Sequence, residues 1–352
     1  MVVTPIDLRS PVLETGKRLL RSAYAVAVIG FLVSGCSTTG ASAPTRSQPS
    51  STPTSRSAPS SEPPQMVAIT SSLASFTLPE AVWRPTIFAA ADDLLVVGGL
   101  SAADSTTRAV FRVALPGGSV TATGQLPVPV HDAAGSVVNG RDLVFGGGAT
   151  AVTSAVQDVT PGSPPRVISH LPAPRADLVA VSDGHAGYVL GGYDGTQGST
   201  TILRTRDGRT FSSVGRLPVS VRYPAVAVSA GAIWLFGGEH AGRQVTDVQR
   251  VDLATGRGNV VGHLPTRLAH AGAFALDGQV FVVGGRVGTT VTDKVVRFDP
   301  AHIRFTTVGH LPAGRSDFGV AVVGGTAYLV GGESPKPVDT VIQVRAKAGG
   351  TP

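Results

Sequence analysis

Six residues of different chemistry share one position in a repeating frame. Arg84, Asp132, Asp177, Tyr223, His270 and Asp317 each stand six residues after the leucine of a Leu-Pro pair. Close to them in the chain are Trp83, His131, Arg175, Arg222, Arg267 and Arg315. Further along the same repeats come Tyr193, Asp194, Glu239, His240, Arg286 and Glu333. Arginines interleaved with carboxylates and aromatics suit recognition of a carboxylate or a sugar, because the guanidinium is a planar, bidentate fork. They suit a structural part equally well, pairing with the aspartates and binding loop carbonyls, and for any single residue that is the simpler reading. Histidines give no metal site. His170, His263 and His310 precede Leu-Pro in three separate repeats, and His131 and His270 lie in different ones. Two ligands do not make a zinc centre. No metal and no cofactor is expected. Asp207-Gly208 before Thr210-Phe211 reads as a plain hairpin turn.

The elements that must position these groups are legible from two dipeptides. Leu-Pro falls at Leu78, Leu126, Leu171, Leu217, Leu264 and Leu311, with a period of 45 to 48 residues. Each leads a Gly-Gly pair by 20 residues: Gly98-Gly99, Gly146-Gly147, Gly191-Gly192, Gly237-Gly238, Gly284-Gly285 and Gly331-Gly332. A period near 47 fits a β-propeller in which each repeat is one four-stranded blade. In one unit, Ala271–Leu276 and Val280–Val283 are apolar strands joined by Asp277-Gly278, followed by Lys294–Phe298 and Phe305–Leu311. The glycines permit a bulge and close backbone approach, so their recurrence marks packing and not a phosphate cradle. The first Leu-Pro has a strand before it, Ile69–Leu78, and the last repeat ends near Val341–Arg345 with three strands. The expected fold is therefore all-β: a six-bladed propeller whose last blade is closed by the N-terminal strand, which removes two open edges.

Gly-Gly closing the second strand, and Leu-Pro followed by Arg, as in Leu171-Pro172-Ala173-Pro174-Arg175 and Leu311-Pro312-Ala313-Gly314-Arg315, resemble Kelch repeats. The resemblance covers about residues 67–345, with departures. The usual third-strand Tyr is Phe298 in one repeat and aliphatic elsewhere, and the usual fourth-strand Trp is Phe211 or Phe305 in two. The resemblance implies that the six frame residues gather at one axial mouth, where the family usually binds. It also implies a runner-up function, since exported six-bladed Kelch propellers include sialic-acid mutarotases with acid–base residues and Arg at the mouth; on that likeness Glu239 or Glu333 would be the base and Arg222 or Arg315 would hold the carboxylate. A galactose-oxidase-like copper enzyme is excluded, because its Tyr–Cys crosslink needs a cysteine that this repeat region lacks.

The single cysteine, Cys36, belongs to an address. Lys17, Arg18 and Arg21 precede the apolar run Ala23–Val33. Those residues span about 16 Å as a helix against a ~30 Å hydrocarbon core, which is a secretory signal and not a membrane span. The ending Leu32-Val33-Ser34-Gly35-Cys36 resembles the bacterial lipobox, which implies cleavage before Cys36 and acylation of its sulfur, with the lipid bilayer as partner. From Ser37 to Pro64, 20 of 28 residues are Ser, Thr or Pro, too polar to fold alone. The expected domains are a signal over 1–35, a lipidated tether over 36–64, the propeller over 65–346 and a short tail over 347–352. Six basic and three acidic residues precede Gln65, leaving 23 against 20, so the propeller has no footprint for nucleic acid. The leading expectation is an extracytoplasmic, lipid-anchored, monomeric binding propeller that presents its mouth to a glycan, peptide or envelope protein.

Overall fold

The computed structural model describes residues 68–347, which form strands, turns and loops without a helix. Six four-stranded antiparallel sheets follow one another around an axis. Their innermost strands are Thr86–Ala90, Ala134–Val138, Ala176–Ser182, Ala225–Ser229, Gly272–Leu276 and Gly319–Val323, defining blades 1 to 6 in chain order. Blade 5 continues outward through Gln279–Val283, Lys294–Asp299 and Arg304–His310, within a residue of the expected bounds. The signal, Cys36, the tether and the tail beyond residue 347 lie outside the described residues.

Second strands such as Leu94–Val97 and Ile233–Phe236 are buried on both faces, which is why they read as continuous apolar runs and not as alternation. Six apolar clusters result, one at each junction between neighbouring blades. The junction of blades 4 and 5 is built on Trp234, Phe236, Val282 and Phe298. There Phe305, at the position of the family's Trp, stacks on Phe298 with centroids 5.0 Å apart. Phe211 packs edge-on against Phe145 at 6.2 Å between blades 2 and 3.

The ring closes as expected. Ala68–Thr77 pairs antiparallel with Thr340–Lys347, running from Ala68 against Lys347 to Thr77 against Thr340. The last strand thus extends into the segment expected to be tail. Ile69 and Phe76 pack against the blade clusters, whereas Leu73 is 52% exposed and adds little.

The glycine pairs are joints between blades. Gly99, Gly147, Gly192, Gly238, Gly285 and Gly332 each donate their N–H to a carbonyl in the loop that enters the next blade, at 2.7–2.8 Å. The acceptors are Val130, Arg175, Val221, Leu268, Arg315 and, across the closure, Val82. The glycine before each donor has a positive φ, and a Cβ on Gly331 would come within 2.1 Å of the same Val82 oxygen. Only glycine meets both demands.

Candidate functional site

The six frame residues do converge. Arg84, Asp132, Asp177, Tyr223, His270 and Asp317 all lie in the left-handed region, with φ between 51 and 58°. Such backbone is uncommon for residues with a Cβ. Its sixfold recurrence makes it a property of the fold and leaves the side chain as the variable. The N–H groups of Asp177, Tyr223, His270, Asp317 and Arg84 each donate to the carbonyl of the frame residue one blade back, at 2.7–3.2 Å. The remaining step, from Arg84 to Asp132, is bridged by side chains at 2.9 Å. Together they rim a cavity of about 130 Å³ on the axis, which continues into a channel lined by the innermost strands.

A second ring lies two residues after the first glycine of each pair. Tyr193, Glu239, Arg286 and Glu333 occupy it in blades 3 to 6, while blades 1 and 2 supply Leu100 and Gly148. Each bridges antiparallel to the residue before a frame residue, as Glu239 does to Arg222. The polar mouth is consequently lopsided towards blades 3 to 6.

Within it the charges are matched. Arg84 reaches Asp132 and, at 3.2 Å, Asp317. Arg222 pairs with Asp177, and Arg286 with Glu333 and, at 3.3 Å, with Asp317. His270 lies 2.7 Å through Nδ1 from Asp317 and 3.3 Å through Nε2 from Glu239. Its ring stacks on Tyr223 at 4.2 Å. Burial disfavours an imidazolium there, but the hydrogen bonds to Asp317 and Glu239 outweigh it and raise His270 to about 9. The same contact from His270 holds Glu239 below the ordinary carboxylate range. Burial pushes Asp132 up to about 7 against the opposing pull of Arg84. Burial, with Asp317 nearby, also raises Glu333. His131, held by Thr106 at 2.9 Å, is lowered by burial and by Arg84.

The remaining arginines go elsewhere. Arg175 donates to the Thr201 carbonyl at 3.1 Å. Arg315, 1% exposed, donates to Gly331 and Thr340 oxygens at 2.7–3.1 Å. Burial lowers both to about 10. They stand four residues after the Leu of Leu-Pro, where the other blades carry Val82, Val130, Val221 and Leu268. That apolar register is a sequence signal that the position points inward. Arg267, one residue earlier in its repeat, is exposed and reaches none of these groups. Of the arginines named from sequence, Arg84, Arg222 and Arg286 are therefore the ones that join the mouth.

Beside the axis, between blades 3 and 4, a pocket of about 290 Å³ brings Arg222, Glu239, Tyr193 and His240 together with Ser220 and Gln197. Neither Ser220 nor Gln197 was expected, since nothing in their local sequence departs from ordinary loop composition. Among the described residues, no three His, Cys, Asp or Glu side chains are grouped to hold a metal ion.

Comparison with known proteins agrees with the fold. The Kelch motif model matches residues 267–307, from the loop entering blade 5 to its outermost strand. The chain carries a Kelch motif. The structure described as "Structure of YjhT" superposes on this propeller with a TM-score of 0.68 at 18% identity, covering 78% of this chain and 97% of that one. At such identity the likeness is one of fold. No curated protein matches by sequence.

Proposed function

We propose that the protein is a binding propeller, held at the outer side of the cell membrane through Cys36, whose axial mouth receives an uncharged polar ligand. The observation that carries this reading is the charge balance. Arg84, Arg222 and Arg286 each have a carboxylate partner, and Asp132, Asp177, Glu239, Asp317 and Glu333 outnumber them. An anionic ligand would compete with these carboxylates for the same guanidinium groups and add to a negative excess beside the axis. The test is a thermal-shift screen of the full-length protein against neutral glycans, carboxylated sugars and peptides. One-site binding at a hundredfold excess over Kd stabilises by about 2.7 kcal/mol. Neutral glycans are expected to give the largest shift, with loss on Tyr223→Ala or Arg222→Ala. A larger shift from carboxylated sugars, or no shift from any class, overturns the reading.

The mutarotase-type alternative has two observations in its favour: Arg222 and Glu239 share a pocket, and burial raises Glu333, the other candidate base, beside Arg286. Against it, Glu239 is held ionised below its ordinary range and hydrogen-bonded to His270, which makes it a weak base. Anomer exchange of a carboxylated sugar followed by NMR separates the two. Acceleration by the wild type that is lost in Glu239→Gln would replace binding by catalysis.

A further inference from the structure

We propose that the pocket between blades 3 and 4 is a subsite for one neutral pyranose ring, recognised through its hydroxyls by Ser220, Gln197, Glu239 and His240 against the ring of Tyr193. This deepens the binding reading above and rests on it.

The volume of about 290 Å³ lies at the small end of ligand pockets, which run roughly 300–1,000 Å³. One wall is fixed. The Tyr193 hydroxyl donates to the Gly195 carbonyl of its own loop, and the Arg222 guanidinium lies 4.6 Å from the ring centroid. A ring clamped in this way offers apolar surface at low entropic cost, which suits the C–H face of a sugar. The polar wall is unsaturated. His240 Nδ1 is 2.8 Å from the Ser220 carbonyl, which can only accept, so Nδ1 carries the hydrogen. Ser220 Oγ, 3.2 Å from that same nitrogen, can then only accept from it, and its own proton is free to donate into the pocket. His240 Nε2 is left as an acceptor in the neutral ring. Glu239 uses Oε1 on His270, and among the described residues Oε2 has no partner. The Gln197 side-chain amide likewise makes no hydrogen bond among them and adds a donor and an acceptor.

Arg222 gives Nε to Asp177 and Nη2 to the Tyr223 hydroxyl, and its remaining N–H groups add donors beside these free acceptors. Hydroxyls, which donate and accept, satisfy this set. A carboxylate can only accept and would meet the charge of Glu239. The arrangement selects a neutral sugar over a sugar acid.

The full-length protein is titrated, by calorimetry and saturation-transfer NMR, with the methyl α-pyranosides of glucose, galactose and mannose and with N-acetylneuraminic acid. At least one neutral glycoside is expected to bind, and N-acetylneuraminic acid at least tenfold more weakly. Tyr193→Ala and Ser220→Ala should each weaken the neutral glycoside at least fivefold without moving the melting temperature. Ser220→Ala removes only a surface hydroxyl and guards against misfolding as the cause. Tighter binding of N-acetylneuraminic acid, or neutral binding unchanged in both variants, overturns the subsite. If that unchanged binding is still lost in Tyr223→Ala, on the axial cavity, the mouth reading survives while the subsite fails. If none of the four sugars binds, the subsite fails and the wider screen decides the mouth.

Discussion

Gly332 donates its backbone N–H to the carbonyl of Val82 at 2.8 Å, joining the last blade to the first with the same bond that joins every other pair. Closure therefore uses two devices, the paired N-terminal strand on the outside and this joint near the axis. The joint tests cleanly because Gly331 and Gly324 share a left-handed backbone, at φ 64° and 53°, and only Gly331 is crowded. An alanine at Gly324 meets open space and should cost about 1–2 kcal/mol for its backbone alone. Gly331→Ala adds the collision with Val82 and should melt distinctly lower than Gly324→Ala, by calorimetry. Equal melting temperatures would show that the joint tolerates a Cβ.

Deleting residues 65–79 should open blade 6. Burial of Ile69, Phe76 and Leu78 is lost, at up to about 1.5–3 kcal/mol for each fully buried side chain, against a whole-domain stability of roughly 5–15 kcal/mol. The truncated protein should aggregate or melt far lower. Replacing Leu73 alone, being half exposed, should change little.

The His270 contact makes stability fall in alkali. Its folded value of about 9 exceeds the ordinary 6.5, so its contribution is complete below about pH 6.5 and is lost as pH rises through 9. The shift corresponds to something on the order of 3 kcal/mol, shared with Asp317 and Glu239. Denaturant titrations of wild type and His270→Gln at pH 6 and pH 9.5 should differ widely at the lower pH and converge at the higher. A gap independent of pH would mean that the ring acts by packing on Tyr223 and not by charge.

Arginine-to-lysine changes should sort the two populations of arginine. Arg315→Lys loses a buried fork on Gly331 and Thr340 and should destabilise by about 1.5–3 kcal/mol, while ligand affinity in the surviving fold is unaffected. Arg222→Lys, at the half-exposed rim, should move stability by less than about 1 kcal/mol and lower affinity. Equilibrium unfolding combined with titration reads both.

For the anchor, Cys36→Ala should abolish incorporation of a fatty-acid analogue, leaving the protein uncleaved or released into the medium. Label on the mutant, or none on the wild type, removes the membrane from the proposal.

The blades and their number were legible in the chain because their causes are local. Apolar runs such as Val280–Val283 need two covered faces, Asp277-Gly278 needs a tight turn, and a glycine before each joint is the residue that fits beneath a neighbouring carbonyl. The period put the six frame residues at equivalent positions, and the resemblance to Kelch repeats implied their arrival at one axis. Which side chains meet there was not legible. His270 and Asp317 are 47 residues apart, and Arg222 and Asp177 are 45 apart. Each pair touches only because neighbouring blades curve about a common axis. Composition alone allowed arginines that hold a carboxylate and, more simply, arginines that pair with aspartates or bind loop carbonyls. Tertiary structure assigned each one, putting Arg175 and Arg315 on carbonyls within the wall and pairing Arg84, Arg222 and Arg286 with acids, because a guanidinium taken out of water is stable only with its N–H groups on oxygens.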